Sequence, residues 1–310
     1  MKQYSILNKQ DVTRILMPYS IKNLTNIEKL SGGSENTNYL ITANNCRYVL
    51  SLFENKSLDH VRVLAQLLSH LNENNFKASQ TISTNDEQTV TCWNKKPIII
   101  KHFIEGEIMD TLPNHIIELV GEATGKLHQV PPPDYLPKTF DYGQENFKLV
   151  NQYAPKTPFE DWIQAVRQYI QPYLEMDLPK AFTHSDLFCS NIIINNDEKS
   201  VTIIDFEEAT YYYRVFDIGM AIIGLCSEGK ILNQEKVKSF LLGYKKEIKL
   251  TPNEEKALQA FTVYAGASIT FWRHKNFNYV YPNMGLKNHY KALQALADYA
   301  KAQSSLFFKC

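Results

Sequence analysis

The sequence predicts a bilobal α+β protein, with a small antiparallel-sheet N-lobe followed by a larger, mainly helical C-lobe. Three observations lead there. Residues 38–42 (NYLIT) and 47–53 (RYVLSLF) are β-like runs joined by the turn-prone ANNC, which reads as a hairpin. The continuous, β-branched run IIIKHFI (98–104) breaks at EGE (105–107), and beyond it helical periodicity dominates. With 310 residues, 44% of them hydrophobic, the chain can bury a large core in one two-lobed unit or two domains.

Taken in order, LSGGSENTN (30–38) is a glycine-containing polar turn between IEKL and NYLI, so three antiparallel strands are expected up to residue 53. Leu58, Val61, Leu64, Ala65, Leu68 and Leu71 then recur at helical spacing with Asp59, Arg62, Gln66 and Asn72 between them, an amphipathic helix for packing on the hairpin. The connector strand ends the N-lobe, which gives residues 1–104 as a β-sheet plus helix and 105–310 as the C-lobe. PPPDYLP (131–137) reads as a rigid connection. Helices are expected over 114–129, 158–175, 214–226, 233–246, 252–275 and 286–303. The exception is a strand pair, NIIIN (191–195) and VTIIDF (201–206), turned by NDEK. A bilobal arrangement of this kind offers a cleft suited to a nucleotide.

Composition narrows the function. Lys plus Arg and Asp plus Glu each number 33, and no local basic stripe is visible, so neither nucleic acid nor an anionic membrane is an expected partner. The start lacks an apolar segment after its lysine, and no run reaches the roughly 18 apolar residues of a membrane span. Cys46, Cys92, Cys189, Cys226 and Cys310 are scattered, without a C-x-x-C pair, which argues against disulfides or structural zinc and for a reducing cytoplasm. Cys189 reads as a small packing residue, since nothing in the sequence would lower its pKa. His128, in GKLH, has no second histidine or acid at metal spacing and reads as a packing histidine. Tyr264, Phe271 and Trp272 read as core.

The chemistry concentrates in HSDLFCSN (184–191). Asp186 and Asn191 lie on a loop and at its exit into a strand, and Asp205 ends the paired strand, so hairpin geometry brings all three to one end of a short ribbon. Two carboxylates and a carboxamide are oxygen donors that suit a hard cation such as magnesium. Phosphoryl transfer needs this set: a carboxylate to orient and deprotonate an attacking hydroxyl, and oxygen ligands for the metal that bridges the phosphates. The pattern H-x-D alone is common; Asn191, the apolar strand after it and Asp205 make it specific.

HSDLFCSN followed by IIDFEEA resembles the catalytic and metal-binding segments of the aminoglycoside phosphotransferase and choline kinase superfamily, relatives of protein kinases. That resemblance implies a protein-kinase-like fold. It implies Asp186 as catalytic base, Asn191 and Asp205 as magnesium (Mg2+) ligands, and His184 as a loop-organising member of the catalytic segment. FDIGMA (216–221) resembles the superfamily's D-L-A helix start, where Asp217 braces the catalytic loop without touching substrate. GGSENTNYLI, CRYVLSLFEN, KPIIIKHFIEGE, GKLH, LPKAFTHSDLFCSNIII and LNQEKVKSFLLGYKKEIKLTPNEEKAL are similar to the type found in bacterial homoserine kinases of this superfamily, in an order that spans residues ~20 to ~300.

The chain departs from that pattern in two places. Kinases of the broad class carry a third-strand lysine paired with a helix glutamate, whereas this position falls on Ser51 and the following helix offers no glutamate. Phosphate binding then leans on the 32–38 loop, where Gly32 and Gly33 allow close backbone approach and Ser34, Asn36 and Asn38 can donate, or the loop is simply a tight hairpin turn. After Asp205 the chain has Glu207, Glu208 and YYYR (211–214), where homoserine kinases of this type tend towards aromatic and small residues. An acidic pair with aromatics can hold an ammonium group by charge and cation-π contact.

The resulting expectation is an ATP- and Mg2+-dependent kinase of a small hydroxylated acceptor. Adenine is expected at the connector backbone near His102, Phe103 and Ile104, packed on Val49, and Asp186 is expected to take the acceptor's proton. L-homoserine, phosphorylated for threonine synthesis, is the first acceptor. Glu207 or Glu208 would meet its ammonium and Arg273 (in FWRHK) its carboxylate, unless Arg273 is an ordinary surface arginine. Choline, ethanolamine, hydroxylysine or an aminoglycoside-like antibiotic are the alternatives, and a non-catalytic nucleotide-binding protein is a third class.

Overall fold

The computed structural model describes residues 5–30, 36–196 and 198–309. Gly32, Gly33 and Ser34 therefore lie outside the described residues. These fall into two compact units that divide in sequence between Glu105 and Gly106.

The N-terminal unit runs α1 (Lys9–Leu16), β1 (Leu24–Lys29), β2 (Asn36–Ala43), β3 (Cys46–Phe53), α2 (Leu58–Glu73), β4 (Thr81–Ile82), β5 (Thr91–Trp93) and β6 (Lys96–His102). The strands form one antiparallel sheet in the order β1-β2-β3-β6-β4, with β5 also pairing β6. Period-two alternation sorts its residues onto two faces. Tyr39, Ile41, Tyr48, Leu50, Leu52, Ile98 and Ile100 bury one face together with Val12, Ile15 and Leu16 of α1. The register Asn38↔Ser51, Leu40↔Val49 and Val49↔Lys101 puts Asn36, Asn38, Val49 and Ser51 on the other. Helix α1 was not expected from sequence; Asn8 starts it by accepting from the Gln10 and Asp11 amides, and Asp11 bonds back to the Asn8 amide.

The C-terminal unit runs α3 (Asn114–Leu127), α4 (Val150–Tyr153), α5 (Pro158–Leu174), β7 (Lys180–Thr183), β8 (Ile192–Ile194), β9 (Val201–Ile203), β10 (Thr210–Tyr213), α6 (Arg214–Leu225), β11 (Ser227–Glu228), β12 (Ile231–Leu232), α7 (Gln234–Glu247), α8 (Pro252–Lys275) and α9 (Tyr290–Ala302). Helix α6 is almost wholly buried against α8, and α3 packs along α7. The expected β8–β9 hairpin is present, and β7–β10 and β11–β12 pair besides it. Gly106 opens the unit at φ +148°, where an added Cβ would lie 2.2 Å from the Ile194 carbonyl oxygen. Only glycine allows the close approach that lets Glu107 exchange both backbone bonds with Ile194.

One stretch takes a different role from the one expected. Residues 211–214 were read as acceptor-facing, yet Tyr212 is buried in β10 with its hydroxyl 3.0 Å from that of Tyr264. Arg214 is spent on a bidentate pair with the buried Glu254, at 2.5 and 2.7 Å. Alternation along a strand sends Tyr211 and Tyr213 one way and Tyr212 the other, so the three tyrosines cannot act as one surface.

Candidate functional site

The loop between β7 and β8 is tied down from several sides. Asp217, buried at the start of α6, accepts from the His184 amide at 2.8 Å and the Ser185 amide at 2.7 Å. His184 is buried and bonded at both ring nitrogens: Nδ1 accepts from the Asp186 amide at 3.2 Å, and Nε2 lies 2.9 Å from the Ile204 carbonyl. Ser185 adopts left-handed backbone at φ +70°, a conformation non-glycine residues rarely take. Tyr142 donates to its carbonyl at 3.1 Å, while its hydroxyl meets Thr183 and Thr210 at 3.0 and 2.8 Å. A backbone held this firmly keeps its strain, and it re-aims the next residue, Asp186.

Asn191 closes the loop. Its Nδ2 donates to the Asp186 carbonyl at 2.8 Å and to Asp186 Oδ2 at 3.1 Å, so both amide hydrogens are used and Oδ1 takes part in neither bond. The Asn191 carbonyl accepts from the Ile204 amide at 2.9 Å, which brings Asp205 in behind it. Asp205 is itself left-handed, at φ +68°, and exposed. Burial and the Asp205 carboxylate push the Asp186 carboxyl above its ordinary value; His184, the Asn191 amide and Arg273 pull it back. The donors left over are carboxylate and amide oxygens, a set that fits a hard divalent cation and would relieve the repulsion between the two aspartates. Among the described residues no group of three or more His, Cys, Asp or Glu side chains gathers as a metal site.

Arg273 lies in the last turn of α8, half-buried, and among the described residues its guanidinium makes no hydrogen bond or ion pair. Burial draws its pKa down and the Asp186 charge draws it up. Glu207 and Glu208 follow Asp205 on a short 3-10 turn, both half-buried, and the Glu208 charge reaches Tyr142. The structure thus gathers His184, Asp186, Asn191, Asp205, Asp217 and Arg273 in the C-terminal unit.

In the N-terminal unit, Asn36, Asn38, Val49 and Ser51 share one sheet face, and among the described residues Ser51 Oγ is buried without a hydrogen-bond partner. His102 faces the other side beside Tyr48, with ring centroids 5.8 Å apart, so its side chain does not join them. The amides of His102 and Phe103 already donate to the Gln80 and Arg47 carbonyls. Ile104 makes no such bond among the described residues, and its amide stays available.

Sequence reading missed a buried relay behind the loop. Tyr244 and Asp217 both bond to His128, at Nδ1 (2.8 Å) and Nε2 (3.1 Å), so the histidine read as packing supports the loop's brace. Its partners lie 89 and 116 residues away, beyond the reach of any spacing argument.

A sheet-based unit followed by a helical one, with this oxygen-rich loop, defines a small-molecule kinase of protein-kinase-like fold. The chain belongs to the phosphotransferase enzyme family, whose model matches residues 26–245. It is 25% identical over 302 residues to a homoserine kinase of Methylobacillus flagellatus, covering 94% of this chain and 92% of that protein. Among solved structures, a microcompartment-associated aminopropanol kinase superposes with a TM-score of 0.76 at 14% identity, over 97% of this chain and 99% of the other. The choline kinase LicA from Streptococcus pneumoniae superposes at 0.69 and 15% identity, over 94% and 98%. The family and the homoserine kinase relative make it an alcohol-acceptor kinase. No helix among the described residues is long and apolar enough to cross a membrane.

Proposed function

We propose that this kinase transfers the γ-phosphoryl group of ATP to the side-chain hydroxyl of L-homoserine, giving O-phospho-L-homoserine and ADP, a step toward threonine. The observation that carries the choice of acceptor is Arg273, a half-buried guanidinium without a hydrogen-bond or ion-pair partner among the described residues, within electrostatic reach of Asp186. An amino acid supplies the missing carboxylate, and the planar fork binds it bidentately. The identity shared with the homoserine kinase of Methylobacillus flagellatus supports the same acceptor.

In this reading Asp186 accepts the hydroxyl proton as the substrate oxygen bonds to the γ-phosphorus and the bond to the β-phosphate oxygen breaks. Burial and the Asp205 charge raise its carboxyl, which makes it a stronger base than an ordinary aspartate. Asn191 and the His184 ring hold that carboxylate and its backbone in place, and Asp217 and His128 act one step further back. Asn191 Oδ1 and Asp205 would hold magnesium, which would supply positive charge to the phosphate oxygens. The nucleotide lies on the sheet face of Asn36, Asn38, Val49 and Ser51, with Ile104 as the connector amide. Glu207 or Glu208 meets the acceptor's ammonium.

A second reading keeps the chemistry and replaces the acceptor by an amino alcohol such as choline or ethanolamine. Glu207 and Glu208 favour it, since a carboxylate whose charge, in Glu208, reaches Tyr142 attracts an ammonium with or without a carboxylate partner. ADP release measured on homoserine, choline, ethanolamine and 3-aminopropanol separates the two, with Asp186→Ala as the inactive control. Turnover on homoserine with little on the others supports the first reading. Turnover on choline without homoserine overturns it, and bound ATP with no turnover on any acceptor overturns both.

A further inference from the structure

The N-terminal unit has no lysine on β3 to reach a phosphate, and Ser51 stands there with its hydroxyl unpartnered among the described residues. Its buried ionic group is elsewhere. Glu54, one residue past β3 and 5% exposed, receives four groups. Thr37 Oγ1 donates to its Oε1 at 2.6 Å and the Ser5 amide at 2.7 Å; Lys96 Nζ and Ser5 Oγ donate to its Oε2, the latter at 3.2 Å. Lys96, at the first position of β6, also donates to Ser5 Oγ at 2.8 Å. Burial alone would raise the Glu54 carboxyl, but Lys96, Thr37 and Ser5 outweigh it and hold the group below its ordinary value.

Thr37 gives this cluster its meaning. It sits between Asn36 and Asn38 at the start of β2, buried on the Glu54 side, while its two neighbours project from the opposite face. There Asn38 pairs directly across from Ser51. The ion pair therefore grips the strand from behind at the point where it presents two amides.

We propose that Glu54 and Lys96 are positioning residues for the phosphate end of the nucleotide. Through Thr37 they fix the Asn36–Asn38 segment, and so stand in for the ion pair between a β3 lysine and an α2 glutamate: Ser51 takes the lysine's place, and the glutamate of α2, Glu73, lies in its last turn and accepts from Ser69. A carboxylate buried with all its lone pairs occupied is rigid, because releasing any one donor leaves an unpaired charge in a poorly hydrated place. The assignment rests on the reading of ATP as phosphoryl donor.

The test uses the full chain and calorimetric titration with ATP and with adenosine, for wild type, Lys96→Met, Lys96→Arg and Thr37→Val. Thr37→Val removes only the link between the carboxylate and β2, and thermal melting reports whether each variant is folded. Misplaced phosphate ligands predict ATP binding about tenfold weaker in Lys96→Met with adenosine binding changed by less than about twofold. Thr37→Val should shift in the same sense by less, and Lys96→Arg should recover most of the loss. If adenosine weakens in step with ATP, or neither changes, the pair only holds the unit together and the assignment falls. Wild-type protein that binds no ATP would remove the functional reading and the assignment with it.

Discussion

Arg273→Ala is the perturbation that most sharply separates an amino acid acceptor from an amino alcohol. The guanidinium is half-buried and unpartnered among the described residues, so a bound carboxylate would form a charge-assisted pair out of bulk water. Truncating one side of such a pair costs roughly 2–5 kcal/mol, and the partial exposure of Arg273 places it near the lower end, about 2–3 kcal/mol. At about 1.4 kcal/mol per decade this is a fall of roughly 30- to 150-fold in kcat/KM for homoserine. 3-Aminopropanol keeps the hydroxyl and the ammonium and lacks the carboxylate, so its kcat/KM should barely move. The assay is ADP release with each acceptor at saturating ATP. Equal losses on both substrates, or an unchanged homoserine kcat/KM, would refute the pairing and return Arg273 to a structural or surface role.

Other consequences can be checked independently. Burial and Asp205 raise the Asp186 carboxyl, so activity that needs its basic form should fall on the acid side at a higher pH than an ordinary aspartate would give. Arg273 lowers that carboxyl; Arg273→Ala should therefore move the acid limb to higher pH, and a shift to lower pH would contradict the assignment. Burial in an aromatic cage, with Phe159 stacked at 3.6 Å, depresses His274 from 6.5 to about 4. The unfolded chain binds that proton below pH 6.5 and the folded protein only near 4. The contribution is thus complete above 6.5 and lost as pH falls toward 4, by up to about 1.4 kcal/mol per unit. Urea unfolding at pH 7 and pH 5 should show a smaller drop for His274→Phe than for wild type. Gly224→Ala should cost about 1–3 kcal/mol and lower kcat, because its Cβ would sit 2.0 Å from the Leu187 carbonyl oxygen, one residue past Asp186. Unchanged stability with unchanged kcat would show that α6 does not position that loop.

What could be read from the chain, and what could not, follows the range of each interaction. Strands β2 and β3 and helices α2, α3, α5 and α8 carry their own periodicity, so they were legible to within a few residues. Helix α1, only eight residues long, and the two- and three-residue strands β4 and β5 exist through pairing and packing with β6 and the sheet core. Strands β7 and β10 find each other across a 27-residue gap at Thr183 and Thr210. Asp186, Asn191 and Asp205 were legible because one loop and one short hairpin confine them. Asp217 came from a resemblance and not from spacing. The supports behind the loop, His128, Tyr244 and Tyr142, are ordinary residue types placed by tertiary structure alone. The Glu54–Lys96 pair was invisible for the same reason, its halves being 42 residues apart. The tyrosine run at 211–213 is conspicuous in composition, and strand alternation divides it between two faces.

The most direct test of the central claim is to identify the product. Wild-type protein with ATP, magnesium and L-homoserine should yield O-phospho-L-homoserine in equal amount to ADP, followed by phosphorus NMR, and Asp186→Asn should yield neither above background. ADP formed without phosphohomoserine, or phosphohomoserine formed at the wild-type rate by Asp186→Asn, would contradict the account.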